Sequence, residues 1–176
     1  MNLCIRLGVI FISLMLIIAG GDVMALEISS NSFQNNEYIP KRYTGEGEDT
    51  SPHLSWNDVP EGTKSFAMIN DDPDAPMGTW IHWIMYDIPA AVDRLDEAIS
   101  KDAILADGSK QGITSFGRVG YGGPMPPPGK PHRYFFKLYA LDINLNLKEG
   151  ATKKELLKAM EGHILAEAQL VGLYKR

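Results

Sequence analysis

Cysteine is almost missing from this 176-residue chain, which has one, Cys4. That excludes an intrachain disulfide framework and any zinc cluster built on thiolates. Positive charge is also in deficit, with 17 Lys and Arg against 22 Asp and Glu, a net charge of −5 and a pI near 5.3. Broad electrostatic binding to DNA or RNA needs clustered cations that displace counterions, so nucleic acid is not an expected partner. Several catalytic signatures are absent as well. No H-E-x-x-H pairs two histidines for a metal, no G-x-S-x-G elbow presents a serine, and no G-x-x-x-x-G-K-[ST] loop cradles a nucleotide. No linker, repeat or low-complexity tract divides the chain. With 44% hydrophobic and 22% charged residues, the composition is that of a globular protein rather than a disordered one.

Long apolar runs are scarce. The one near the start, residues 7–19, follows Arg6 and leads to Val23-Met24-Ala25. It is shorter than the roughly 18 residues that span a bilayer. A charged start, an apolar stretch and a small-x-small end make residues 1–25 a secretion signal, with a retained signal anchor as the other reading. Residues 26–176 then form one periplasmic or secreted domain with no cysteine and no membrane span after signal removal. A domain of this size buries about 70% of its unfolded surface, enough for one core without staples.

The patterning that follows is mostly that of strands. Residues 27–33 and 38–43 are candidates, and residues 44–52 (TGEGEDTSP) are turn chemistry. Residues 65–70 (SFAMIN) form a short apolar run closed by a breaker, hence a strand. Residues 79–88 (TWIHWIMYDI) are aromatic and β-branched. Simple alternation there puts Trp80, His82, Ile84 and Tyr86 on one face and Ile81, Trp83, Met85 and Asp87 on the other. Over residues 133–141, Tyr134, Phe136 and Leu138 oppose Phe135, Lys137 and Tyr139. Residues 90–100 fit a short helix or a loop. Thr152 and Glu155 have capping-box spacing, which predicts a helix over 152–161 with Leu156, Leu157 and Met160 on one side, solvated Lys153 and Lys154, and Gly162 as its stop. Residues 164–174 read either as helix or as a strand aligning Ile164, Ala166, Ala168, Leu170 and Tyr174.

Chemistry gathers in two proline-bracketed segments. The first is Asp71-Asp72-Pro73-Asp74-Ala75-Pro76, directly after a predicted strand, with His82 beyond it. Three neighbouring acids repel one another when ionised, so the fold must offer them hydrogen bonds, cations or water. The prolines stiffen the turn and hold its side chains in place, which lowers the ordering cost of binding. Taken alone, the segment also fits a solvated acidic turn. The second is residues 117–134, GRVGYGGPMPPPGKPHRY. Its glycines permit close backbone approach, its prolines stiffen the loop, and His132 and Arg133 stand at the mouth of a strand. An anion cradle fits this composition, as does a rigid surface loop with Arg133 in an ordinary ion pair. If the strands share a sheet, Asp72, Asp74, His82 and His132 converge on one pocket. A carboxylate beside an imidazole favours its protonated form, so His82 and His132 are expected to hold a phosphate or carboxylate as cations.

Five stretches carry a family likeness. They are Ser51-Pro52-His53-Leu54-Ser55-Trp56; Asp72-Pro73-Asp74-Ala75-Pro76 with His82-Trp83; Gly120-Tyr121-Gly122-Gly123-Pro124 through Pro126-Pro127 to His132-Arg133-Tyr134; Leu138-Tyr139-Ala140-Leu141-Asp142; and Ala159-Met160-Glu161-Gly162-His163. Together they resemble the phosphatidylethanolamine-binding protein family, in particular its bacterial Raf-kinase-inhibitor-like branch. The resemblance implies a mainly β fold, with a large central antiparallel or mixed sheet packed with a smaller sheet and one or two short helices. It turns residues 164–174 toward a strand. It also implies an anion pocket at a sheet edge, lined or supported by Asp72, Asp74, His82, Pro126, Pro127, His132 and Tyr134, with Arg133 structural.

By the same resemblance the function is binding of a small phosphate-bearing anion, such as a phosphoethanolamine-like head group, with modulation of a protein partner, and a homodimer fits. No catalytic residue, metal or cofactor is expected. The alternatives are a protease or kinase inhibitor acting by surface contact, and a metal-dependent hydrolase using His82, His132, Asp72 and Asp74. Two departures stand out: the short path from Pro76 to His82, where metazoan members have longer loops, and Gly45 and Gly47 in a turn where this branch often has cysteine. His53 and His163 are expected to be local hydrogen-bonders. Trp56, Trp80 and Trp83 are expected in the core, with one of them free to wall the pocket.

Overall fold

The computed structural model describes residues 25–176. The signal segment expected to end at Ala25 therefore lies, but for that residue, outside the described residues. Nine strands, one short 3-10 turn and one helix follow: β1 Glu27–Ser29, β2 Glu37–Tyr38, the turn Lys41–Tyr43, β3 Leu54–Asn57, β4 Ser65–Asp72, β5 Trp80–Pro89, β6 Arg94–Leu95, β7 Lys110–Gln111, β8 His132–Leu141, α1 Lys153–Met160 and β9 Ile164–Tyr174. Among the described residues, no helix is long and apolar enough to cross a membrane.

Six strands make the large sheet in the order β2-β9-β8-β4-β5-β7, and three make the small one, β1-β3-β6. The large sheet is mixed because β2 runs parallel to β9 while its other pairs are antiparallel. This is the mainly β, two-sheet arrangement that the resemblance implies. The main core lies between the sheets, where Ile28, Leu54, Trp56 and Leu95 meet Phe66, Met68, Trp83, Phe136 and Leu138. The opposite face of the large sheet carries Ile69, Ile84, Tyr86 and Leu141 under Leu156 and Met160 of α1.

The helix starts where the capping pattern says. Thr152 Oγ1 accepts from the Glu155 N–H at 3.3 Å, and Glu155 Oε2 accepts from the Thr152 N–H at 2.8 Å. Gly162 ends it at φ +79°, a left-handed conformation that glycine adopts without strain. Leu157 turns to solvent rather than sharing the buried side with Leu156 and Met160. The strand reading of residues 164–174 holds, since β8 offers a full-length antiparallel partner from His132↔Tyr174 onward.

Several expectations need correction. The strand expected over 38–43 stops at Tyr38, because Pro40 has no N–H for a ladder and its φ of −58° feeds the 3-10 turn. The strand over 27–33 is only Glu27–Ser29. Of the two readings of residues 90–100 the loop holds and the helix does not; only Arg94–Leu95 departs from it, as β6 paired with β3. The short β3 and β7 were not anticipated. Most consequential is β5, whose alternation breaks. Asn70 pairs with Trp83 and Asp71 with Ile81, so His82 is an extra residue in a β-bulge. Trp83 and Met85 consequently join the core between the sheets, while Ile84 and Tyr86 pack on the helix side with Ile81.

Candidate functional site

The three clustered acids are separated by strand alternation. β4 is buried along its whole length, and its last two residues point to opposite faces of the sheet. Asp71, 1% exposed, faces α1. It accepts hydrogen bonds from Lys137 Nζ at 2.9 and 3.0 Å and from Lys153 Nζ at 2.6 Å. Lys153 is therefore not the solvated helix residue expected from its position; it ties α1 to the sheet. Asp72, 3% exposed, faces the other way. Its Oδ2 accepts from His132 Nδ1 at 2.8 Å and its Oδ1 from the Asp74 N–H at 2.8 Å. Asp74 takes a forked bond from Arg133, Nε at 2.8 Å and Nη2 at 2.7 Å, and also its backbone N–H at 3.0 Å. The Arg133 side-chain hydrogen bonds hold the Asp74 carboxyl below its ordinary range. The mutual repulsion of the acids is thus relieved by separate partners: two lysines for Asp71, His132 for Asp72 and Arg133 for Asp74.

His82 arrives at the same place from β5. The bulge aims its ring at the glycine-rich loop, where Nδ1 donates to the Gly122 carbonyl at 2.6 Å and the Gly122 N–H returns a bond to the His82 carbonyl at 3.0 Å. A carbonyl only accepts, so Nδ1 carries the proton and Nε2 is left for other partners. The ring stands edge-on to Tyr134 and Phe116, with centroids 5.1 and 5.4 Å apart. Burial pushes the His82 pKa below its ordinary value, against smaller raising effects of the Gly122 carbonyl and Asp72. This corrects the expectation of a cationic His82: desolvation outweighs the nearby carboxylate.

The loop is held by close contacts. The Gly123 N–H donates to Asp49 Oδ1 at 2.6 Å, and Tyr121 donates from its buried hydroxyl to the Tyr43 carbonyl at 2.7 Å. A Cβ on Gly123 would lie 2.5 Å from the Tyr43 carbonyl oxygen, so only glycine fits that approach. The Tyr134 hydroxyl is buried and makes no hydrogen bond of good geometry among the described residues. Burial, then the charge of Asp72 and the pull of its carboxylate on the hydroxyl proton, push its pKa upward, so it stays protonated and able to donate, with Asp72 as the acceptor beside it.

These groups meet at a cleft of about 280 Å³. Of the seven residues expected at the pocket, Asp72, His82, Pro126, Pro127, His132 and Tyr134 line it. Asp74 does not; it stands behind the lining, gripped by Arg133, whose structural role is as expected. Four further lining residues were not expected: Ala75 and Pro76, which lie in the acidic turn already singled out, and Phe116 and Met125, which no local pattern marks as wall residues. Trp80 is the tryptophan that walls the cleft, while Trp56 and Trp83 are core. His53 and His163 are local hydrogen-bonders: His53 Nδ1 accepts from the Asn31 N–H, and His163 pairs with Asp142 at 2.8 Å. No group of three or more His, Cys, Asp and Glu side chains among the described residues is arranged to hold a metal ion.

Comparison with known proteins agrees with this architecture. The profile of the family described as phosphatidylethanolamine-binding protein matches residues 29–175. A "UPF0098 protein" of Aquifex aeolicus is 54% identical over 172 residues, 97% of this chain and 99% of that relative. One of Methanothermobacter thermautotrophicus is 50% identical over 151 residues, covering 86% and 99%. Two solved structures are similar. A phosphatidylethanolamine-binding protein homologue of Chlamydia trachomatis has a TM-score of 0.78 at 42% identity, covering 86% of this chain and 98% of that one. YbcL of Escherichia coli, described as a member of the mammalian PEBP family, has a TM-score of 0.81 at 35% identity, covering 87% and 99%. Such relatives support a ligand-binding or modulating protein in general terms. From its profile match, its relatives and its two-sheet fold, the chain belongs to the phosphatidylethanolamine-binding protein family.

Proposed function

We propose that the cleft binds a small anion, phosphate or a phosphoethanolamine-like head group, in a periplasmic or secreted protein whose occupancy modulates a partner protein. The observation that carries this reading is the meeting of His82, His132 and Tyr134 at one cleft. Each imidazole has Nδ1 committed, to the Gly122 carbonyl and to Asp72, so Nε2 of each is the atom available to a ligand. The Tyr134 hydroxyl is buried, protonated and without a protein hydrogen bond of good geometry among the described residues, so it is a donor that an oxyanion can engage. The wall formed by Trp80, Phe116, Met125 and the prolines suits the methylenes of a head group. Export rests on the charge, apolar stretch and small-x-small end of residues 1–25.

His82 sets the proton balance. It is held toward its neutral form, so an oxyanion meets Nε2 favourably only when one proton enters with it, on the imidazole or on the phosphate. Binding is therefore linked to proton uptake and tightens as pH falls. Calorimetric titration with phosphoethanolamine and with inorganic phosphate, from about pH 5.5 to about pH 8 in buffers of different ionisation enthalpy, tests this. The expected result is saturable binding with net proton uptake. Absence of binding across that range would overturn the reading, and binding without proton uptake would overturn the role of His82.

A further inference from the structure

Beneath the cleft lies a polar layer that neither the core nor the lining explains. Asn70 is fully buried, at 0% exposure, and neither its amide nitrogen nor its amide oxygen has a hydrogen-bond partner among the described residues. A buried side chain of this kind is costly, because the amide has given up water and received nothing in return. Its position is well defined. On β4, Asn70 comes two residues after Met68 of the inter-sheet core and two before Asp72 of the cleft, so all three share a face. The β4–β8 register has no slip, and Asn70 lies opposite Phe136, one same-face step from Tyr134. That diagonal is within reach of a long side chain. Tyr134 is itself fully buried, and its hydroxyl makes no hydrogen bond of good geometry among the described residues, although the Asp72 carboxylate stands beside it as an acceptor. Two buried polar groups without a hydrogen bond of good geometry, on the same face, one step apart and next to a ligand cleft, are not what packing alone selects; apolar residues, Met68 and Leu138 among them, fill the same face one layer deeper.

We infer that Asn70 and Tyr134 form an inner polar step of the cleft that holds an ordered water between them, and that Asn70 is thereby a positioning residue for the bound anion. The step orients the Tyr134 hydroxyl toward ligand oxygens and completes its hydrogen bonding when the anion is seated. A water that bridges two otherwise unpaired groups is nearly as good a partner as a direct bond. Asn70 is then retained for binding at the expense of stability. This inference rests on the anion-binding reading and adds the layer that selects an oxyanion over an apolar ligand of equal size.

The test compares wild type with Asn70→Leu, Asn70→Thr, Tyr134→Phe and the Asn70→Leu/Tyr134→Phe double variant, by thermal melting and by phosphate titration. Leucine has similar volume and no polar atom, so the melting temperature should stay or rise, while phosphate affinity falls about tenfold. Threonine keeps a hydroxyl and should recover part of that affinity. In the double variant the losses should be less than additive, because both changes break the same step. Unchanged affinity in Asn70→Leu would overturn the inference, as would strictly additive losses in the double variant. If Asn70→Leu melts lower, the cycle decides through the affinities of the folded variants. Failure of the wild type to bind phosphate would instead sink the anion-binding reading, so the two failures are distinguishable.

Discussion

Replacing His132 by alanine is the sharpest perturbation of the cleft. His132 Nδ1 donates to Asp72 Oδ2 at 2.8 Å, and the two side chains are 13% and 5% exposed. Removing the ring takes one ligand-facing nitrogen from the cleft and takes from the buried carboxylate its charged partner, leaving it the Asp74 N–H and the neighbouring Tyr134 hydroxyl. A hydrogen bond to a charged group contributes about 1.5–3 kcal/mol, so anion affinity should drop roughly ten- to a hundredfold. Leaving Asp72 short of a partner should cost about 1–3 kcal/mol of stability. In a domain of this size each kcal/mol lowers the melting temperature by about 2–4 °C. His163→Ala is the control. Its pair with Asp142 has the same 2.8 Å length, but its side chains are 41% and 44% exposed and lie away from the cleft. Exposed pairs contribute about 0–1 kcal/mol, and phosphate affinity should not change. Calorimetric titration with phosphoethanolamine, run beside thermal melts of both variants, reads both effects. Equal affinity losses in the two variants, or an unchanged affinity in His132→Ala, would refute the reasoning.

Three further outcomes follow from the same geometry. His82 has its pKa depressed by burial below the ordinary 6.5, so as pH falls the unfolded chain takes up the proton first. Stability should be full above about pH 6.5 and decline as pH drops from there toward the folded-state value, a slope that urea titrations will show and that His82→Gln should flatten. Asp71 should be more tolerant of removal than its partners are of joint removal. Asp71→Asn leaves Lys137 and Lys153, which are 32% and 28% exposed, able to turn to water, whereas Lys137→Met with Lys153→Met strands a buried carboxylate. The double lysine variant should therefore show the lower urea midpoint, and the reverse order would contradict the clamp. Gly123→Ala should weaken phosphate binding while leaving the sheets folded. Its Cβ would meet the backbone of Tyr43 and Thr44, pushing away the loop that holds His82; unchanged titration curves would count against that chain of contacts.

Much of this architecture was legible in the residues. The long strands β4 and β8 announce themselves by apolar runs and alternation, and α1 by a cap that acts within four residues. Such features are local: period and capping depend on near neighbours in the chain. The missed features all need a partner from far away. The bulge at His82 exists only relative to the register of β4, and it decides which side of β5 enters the core. That Lys153 serves Asp71 depends on where α1 lands after some eighty intervening residues. Phe116 and Met125 wall the cleft because the loop folds over the sheet, and no spacing rule marks them.

The charges tell the same story. Clustered acids and two histidines were visible as an unresolved electrostatic problem, and proximity suggested cationic imidazoles. Proximity on paper carries no dielectric. His82 enters a site walled by Phe116 and Tyr134, where loss of water outweighs the attraction of Asp72. What the chain determines by itself is therefore its inventory: strand-forming runs, one capped helix, stiff turns, and the acids and imidazoles that reach the cleft. The tertiary structure alone decides pairing, register and solvent exclusion, because those depend on contacts between residues distant in sequence, and from them come the tautomer of His82, the separate partners of the three acids and the polar layer at Asn70.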